Sequence, residues 1–163
     1  MRRKTFARMN CSIARALEIV GEWWSMLILR EAFMGCRRFS DFQRNLGIAR
    51  NILSARLSKL TRQEILRRVP SKSDRRRHEY RLTEKGRALF PALTALRIWG
   101  DRWVAGPDRV SVKVIDLRSG KEVNEVRVLT EDGRPVDPRN LALIPGPGAT
   151  RATRARLQAV PKV

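Results

Sequence analysis

Apolar residues recur at helical spacing through the first sixty positions, and then the pattern changes. Ile13, Leu17 and Val20 fall on one side of a predicted helix over about 8–20. The segment "WWSMLILREAFM", within a second predicted helix over about 22–34, is apolar nearly all round, which suits the centre of a small domain. "RFSDFQRNLG" predicts a helix of one to two turns, with Ser40 and Gln43 spaced as a capping box and Gly47 as a left-handed stop. In a fourth helix, over about 49–63, Ala49, Leu53, Leu57 and Leu60 form a narrow apolar stripe. Asn51, Ala55, Ser58 and Arg62, flanked by Ser54 and Lys59, lie opposite that stripe. "ILRRVP" and "RHEYRL" then read as two short strands joined by the basic tip "SKSDRR".

The polar face of the fourth helix raises the question of use. A solvated helix face ordinarily mixes Glu with Lys, whereas this helix has no acid before Glu64. Short hydrogen-bonding side chains beside cations suit close approach to a polyanion, although the segment alone also fits an incidental polar face. Charge shifts the balance. The chain carries 35 Lys and Arg against 16 Asp and Glu, a formal charge of +19, and its pI near 11.6 lies in the range of nucleic-acid binders. Between Arg37 and Arg81 the only acids are Asp41, Glu64, Asp74 and Glu79, set among fourteen basic residues. A hydrophobic fraction of 42% separates the chain from basic disordered proteins.

Other chemistries find little support. No apolar run approaches a membrane span, and the basic N-terminus lacks the apolar region and cleavage site of a signal peptide. Cys11 and Cys36 cannot frame a disulfide scaffold, and His78, the only histidine, cannot complete a common zinc site. Any Cys-His or Ser-His-Asp arrangement would need that same histidine, which sits in "DRRRHEY" and reads as a strand residue. No Gly-rich phosphate loop is present. The expectation is a non-enzymatic, cytoplasmic, nucleoid-associated protein without metal or cofactor.

Helix, tight turn, helix and then a basic hairpin is the order of a winged helix: a mainly α fold with a β-hairpin wing. In that arrangement the fourth helix enters a major groove. Asn51, Ser54, Ala55, Ser58 and Arg62 would face the bases, while Arg50, Arg56 and Lys59 would mostly neutralise phosphates. Arg75, Arg76 and Arg77 at the hairpin tip would reach the backbone or the minor groove. These residues also resemble a family. "EWWSMLILREAFMGCRRFSDFQRNLGIARNILSARLSKL" followed by "HEYRLTEKGRALFPALTALRIWG" is similar to the HxlR-type winged-helix regulators, relatives of the MarR type, from about Cys11 to Trp103. The resemblance implies homodimers that bind inverted repeats in promoters, usually as repressors. It also implies a cysteine at the start of the first helix, here Cys11, which in some members senses electrophiles or oxidants. Two departures stand out: Ala49 where a Ser or Thr cap is common, and the tip "SKSDRRR" in place of a shorter proline-containing one.

Beyond the wing, Leu82, Gly86, Leu89, Leu93, Leu96, Gly100 and Trp103 alternate by four and three, a heptad seam. Together with Ile13 and Leu17 of the first helix it is the expected dimer joint, although the pattern alone also fits one wide core face. Pro91 predicts a kink in this helix. The domain is expected to span 1–104. "RVSVKVIDL", "EVNEVRVLT" and "LALI" predict a small three-stranded appendage over 105–144, and 145–163 a flexible basic tail with a frayed helix after Thr150. That tail fits either solubility or a further nucleic-acid contact. Cys11 opens a helix between Arg8 and Arg15, surroundings that favour a reactive thiolate, whereas a free cysteine is also often plain packing.

Two functions follow from different classes. One is a homodimeric, sequence-specific regulator of transcription bound to double-stranded DNA, open to an electrophile or small-molecule effector. The other is a basic RNA-binding or assembly protein, which would call for exposed aromatics among the cations. Between Arg37 and Arg81 the aromatics are Phe39, Phe42 and Tyr80, and the helical pattern assigns the two phenylalanines to the core.

Overall fold

The computed structural model describes residues 5–71, 74 and 76–159. Its helices are α1 (Ser12–Val20), α2 (Trp23–Phe33), α3 (Phe39–Leu46) and α4 (Arg50–Arg62), followed by the antiparallel pair β1 (Leu66–Pro70) and β2 (His78–Leu82). Two further helices come next, α5 (Glu84–Arg87) and α6 (Phe90–Gly100), and α6 continues into a π-helical turn over Asp101–Ala105. The fold is a mostly helical winged helix-turn-helix.

α2 runs through the middle, as its all-round apolar sequence predicts. Ile28, Leu29 and Ala32 meet Phe42 of α3 and Leu53, Leu57 and Leu60 of α4, with Ile48, Ile65 and Leu66 closing the ends. Tyr80 of β2 stands edge-on to Phe42 with 6.4 Å between ring centroids. One carboxylate lies inside this apolar body. Glu31 accepts from Arg30 Nη2 at 2.8 Å and from Asn45 Nδ2 at 2.9 Å, so its burial is compensated and α2 is tied to α3.

The turn between α3 and α4 follows the expected chemistry at one end only. Gly47 adopts φ 60°, ψ 21°, the left-handed stop that glycine takes at no steric cost. The Ser40–Gln43 capping box does not form, because α3 begins at Phe39 with Arg38 in the cap position. The preceding residue is pinned: Tyr80 N–H donates to the Arg37 carbonyl at 2.8 Å, and Arg37 Nη1 donates to the Ala32 carbonyl at 2.7 Å. Ser40 therefore falls inside the first turn. Ala49 caps α4 with no side-chain bond.

The wing pairs Leu66 with Leu82 and Pro70 with His78. Leu66, Tyr80 and Leu82 share the face turned to the core. Thr83 then stops β2 and caps α5, accepting from Gly86 N–H at 3.0 Å. Gly86 lies so near the Ile65 carbonyl that an added Cβ would stand 2.1 Å from its oxygen. This close approach ends the helix that the heptad pattern predicts as continuous. The kink expected at Pro91 becomes a break at Ala88–Leu89, and Pro91 occupies the first turn of α6, where its missing N–H costs nothing.

The expected three-stranded appendage is two turns with single bridges, Ile115 to Glu122 and Leu129 to Pro135. Its apolar side chains find no face to bury, Leu117 being 97% exposed, and without burial a ladder does not extend. Asp116 holds the first turn through Ser119, Thr130 holds the second through Arg134, and Arg97 Nη2 fastens the segment to α6 by donating to the Val123 carbonyl at 2.6 Å. A last helix, α7 (Arg151–Gln158), follows a Thr150 cap. Asn10 clamps it, donating to the Gly148 carbonyl at 2.9 Å and accepting from the Thr153 hydroxyl at 2.7 Å.

Candidate nucleic-acid interface

α4 has two sharply different faces. Leu53, Leu57 and Leu60 are wholly buried, and their burial turns Asn51, Ser54, Ala55, Ser58 and Arg62 outward. Each of these five is exposed, so the short polar face is presented as the sequence pattern requires. Arg50, at the start of the helix, is also exposed, and its guanidinium lies 5.4 Å from the centre of the Phe39 ring, an arrangement that holds it beside the turn.

Two expected phosphate cations sit differently. Arg56 Nη2 pairs with Glu22 Oε2 at 3.0 Å, and Lys59 Nζ donates to the Glu18 carbonyl. Both are half-buried and tie α4 to the end of α1 and the start of α2. Their charge is engaged within the fold, where it fixes the tilt of the helix.

At the wing tip Arg76 and Arg77 are exposed, and Asp74 organises both. Its carboxylate accepts from the Arg76 backbone N–H at 2.9 Å and pairs with Arg77 Nε at 3.3 Å. Arg75 lies outside the described residues. Sequence reasoning passed over Arg67 and Arg68, both exposed on β1, where Arg68 Nη2 lies 3.1 Å from His78 Nδ1. Their charges were legible in "ILRRVP", but their outward direction depends on the register of the hairpin. The Glu79 carboxyl is held below its usual range by hydrogen bonds from Arg81 and then Ser71, so the base of the wing keeps a charged acid among its arginines.

The residues expected at a dimer joint divide into two groups. Ile13, Leu17, Leu96 and Trp103 are exposed, Ile13 at 72% and Trp103 at 70%. Leu89 packs against the chain's own core, and Leu93 is half-buried. Cys11 is exposed at the cap position of α1, and the Arg15 beside it is bound through Nε to the Met9 carbonyl at 3.1 Å. Cys36 differs in kind. Burial, and then the charges of Asp41 and Glu31, push its thiol up to about 11. Among the described residues no group of three or more His, Cys, Asp or Glu could hold a metal ion, and no helix is long and apolar enough to cross a membrane.

A buried three-helix core that presents a polar helix face beside a basic hairpin defines a winged helix-turn-helix DNA-binding protein. The chain belongs to the HxlR-like helix-turn-helix family, whose pattern matches residues 19–108. It is 47% identical over 137 residues to the HTH-type transcriptional regulator Rv3095 of Mycobacterium tuberculosis (strain H37Rv), covering 84% of this chain and 87% of that protein. Among solved structures it is similar to PA1607, a candidate transcription factor, with a TM-score of 0.80 and 41% identity over 86% of this chain and 99% of that one. PA1374 from Pseudomonas aeruginosa, also a candidate transcription factor, gives a TM-score of 0.61 at 40% identity over 90% and 99% of the two chains. The protein is thus a transcriptional regulator of the helix-turn-helix type.

Proposed function

We propose that the chain acts as a homodimeric repressor that binds an inverted-repeat operator, with residues 1–104 as the binding and dimerisation unit. The observation that carries this reading is the outward face of α4, where Asn51, Ser54, Ser58 and Arg62 are all exposed opposite three fully buried leucines. In this reading α4 lies in the major groove, Asn51 and Arg62 pair with base edges, and Arg50, Arg76 and Arg77 contact phosphates. Half-sites about one helical turn apart, roughly 34 Å, call for two copies of α4, and each chain has one. The exposed apolar side chains of α1 and α6 suit the joint between copies.

Genome-wide mapping of bound DNA, followed by footprinting of the recovered sites, tests this reading. The expected result is a pseudo-palindrome with two protected half-sites; binding to all duplexes alike would overturn it. Leu96→Glu should convert the dimer to a monomer in light scattering and abolish operator binding, and a full dimer with normal affinity would exclude this joint.

Cys11 is the proposed sensor. It is exposed at the start of α1, where an adduct or an intersubunit disulfide would disturb the joint and the spacing of the two α4 helices. Diamide or a quinone should release DNA from the wild type and not from Cys11→Ser, with Cys36→Ser behaving as wild type. Release that persists in Cys11→Ser would remove this role.

A further inference from the structure

Between α2 and α6 runs a groove of about 540 Å³, within the range of small-molecule sites. Phe33 and Phe90, with ring centroids 5.3 Å apart, and Leu93 line one side of it, and Val112 and Val114 line the other. That second side belongs to the appendage and lies beyond residue 108, where the match to the family ends. The extension thus adds a wall to a groove that the winged helix alone leaves open.

The polar groups of this groove form a small, balanced set. Arg30 is paired with Glu31 at 2.8 Å and Arg97 with Asp101 at 2.7 Å, so the lining charges cancel. Thr94 stands apart from these pairs. It lines the groove, is 6% exposed, and its hydroxyl has no hydrogen bond among the described residues. A helical threonine commonly turns its hydroxyl back onto the carbonyl four residues earlier, as Thr61 does to Leu57 at 2.8 Å. A buried hydroxyl without a partner costs stability unless something enters to satisfy it.

We infer that the groove binds an uncharged, mainly aromatic small molecule bearing one carbonyl-type oxygen, which accepts a hydrogen bond from Thr94. Cancelled charges leave no counter-ion for an organic acid or amine, and the facing phenylalanine and valine walls suit a flat apolar body. Arg97 gives the site a mechanical consequence. The same guanidinium holds Asp101 of the π-helical turn and the Val123 carbonyl of the appendage, so a ligand here bears on the contact between α6 and the C-terminal segment. The effect of that ligand on DNA rests on the operator-binding reading; its binding does not.

The test uses the full chain and prodan, an uncharged naphthalene with one ketone. Blue-shifted emission should saturate at one probe per chain. Val112→Trp, on the exposed side of the wall, fills the groove and should weaken binding about tenfold or more. Thr94→Val keeps the shape and removes the donor, and should weaken it about fivefold, with the dimer mass and melting curve of both variants unchanged. Non-saturable emission, or variants that bind as the wild type does, would overturn the site. Loss of the dimer in Val112→Trp would also overturn it, because a second copy would then be the occupant. Gel shifts on the mapped operator are read separately: saturable prodan binding without any operator complex faults the regulatory reading and leaves the site standing.

Discussion

α4 and the appendage over 110–144 both alternate apolar and polar residues, yet only α4 buries its apolar set. Leu53, Leu57 and Leu60 are wholly enclosed because α2 offers an apolar surface on the side they face. Leu117, Val128, Leu143 and Ile144 of the appendage remain exposed, since the segment crosses no second layer of its own. Pattern prescribes a face, and a partner surface decides whether that face becomes core. The appendage instead depends on turn chemistry at Asp116 and Thr130 and on the single reach of Arg97.

The contrast breaks most severely at Leu57. Leu57→Ala should lower the unfolding free energy by about 2–5 kcal/mol, measured by urea titration, because its neighbours cannot close the cavity. Gly86→Ala probes the seam between α5 and the end of α4. With the added carbon 2.1 Å from a backbone oxygen, the displacement should cost about 1–3 kcal/mol in the same titration. Asn51→Ala sharpens the difference between the two faces of α4. Stability should stay within about 0.5 kcal/mol, while discrimination at one position of each half-site falls by about 1–3 kcal/mol in competition binding. A uniform loss on operator and random duplex would remove Asn51 from base reading. The smallest effect belongs to Leu117→Ser, which at 97% exposure should change stability by less than about 0.5 kcal/mol; a large loss would mean that the appendage has a buried face after all.

The winged helix was legible because each of its parts carries a local signal. α2 is apolar all round, Gly47 marks the turn, α4 has three leucines at helical spacing, and the two strands flank a basic tip. What escaped depends on contacts distant in sequence. The failed capping box at Ser40 follows from Tyr80 holding Arg37, and the break before α6 from Gly86 meeting Ile65. For the same reason Arg56 and Lys59 read as free cations in a string of basic residues. Their partners, Glu22 and Glu18, lie 34 and 41 positions earlier and are brought together only by the packing of α1, α2 and α4. Arg67 and Arg68 needed the register of the hairpin before their exposure could be known.

The Asn10 clamp places residues near the two ends of the chain, 143 positions apart, within hydrogen-bonding distance. For protein engineering this means that a short linker could join the region before α1 to α7 while new termini are opened elsewhere, the geometry that circular permutation requires. A tag fused at either end would extend from the same side of the molecule, and a pair of fluorophores on Asn10 and Thr153 would report the opening of that clamp as a loss of energy transfer.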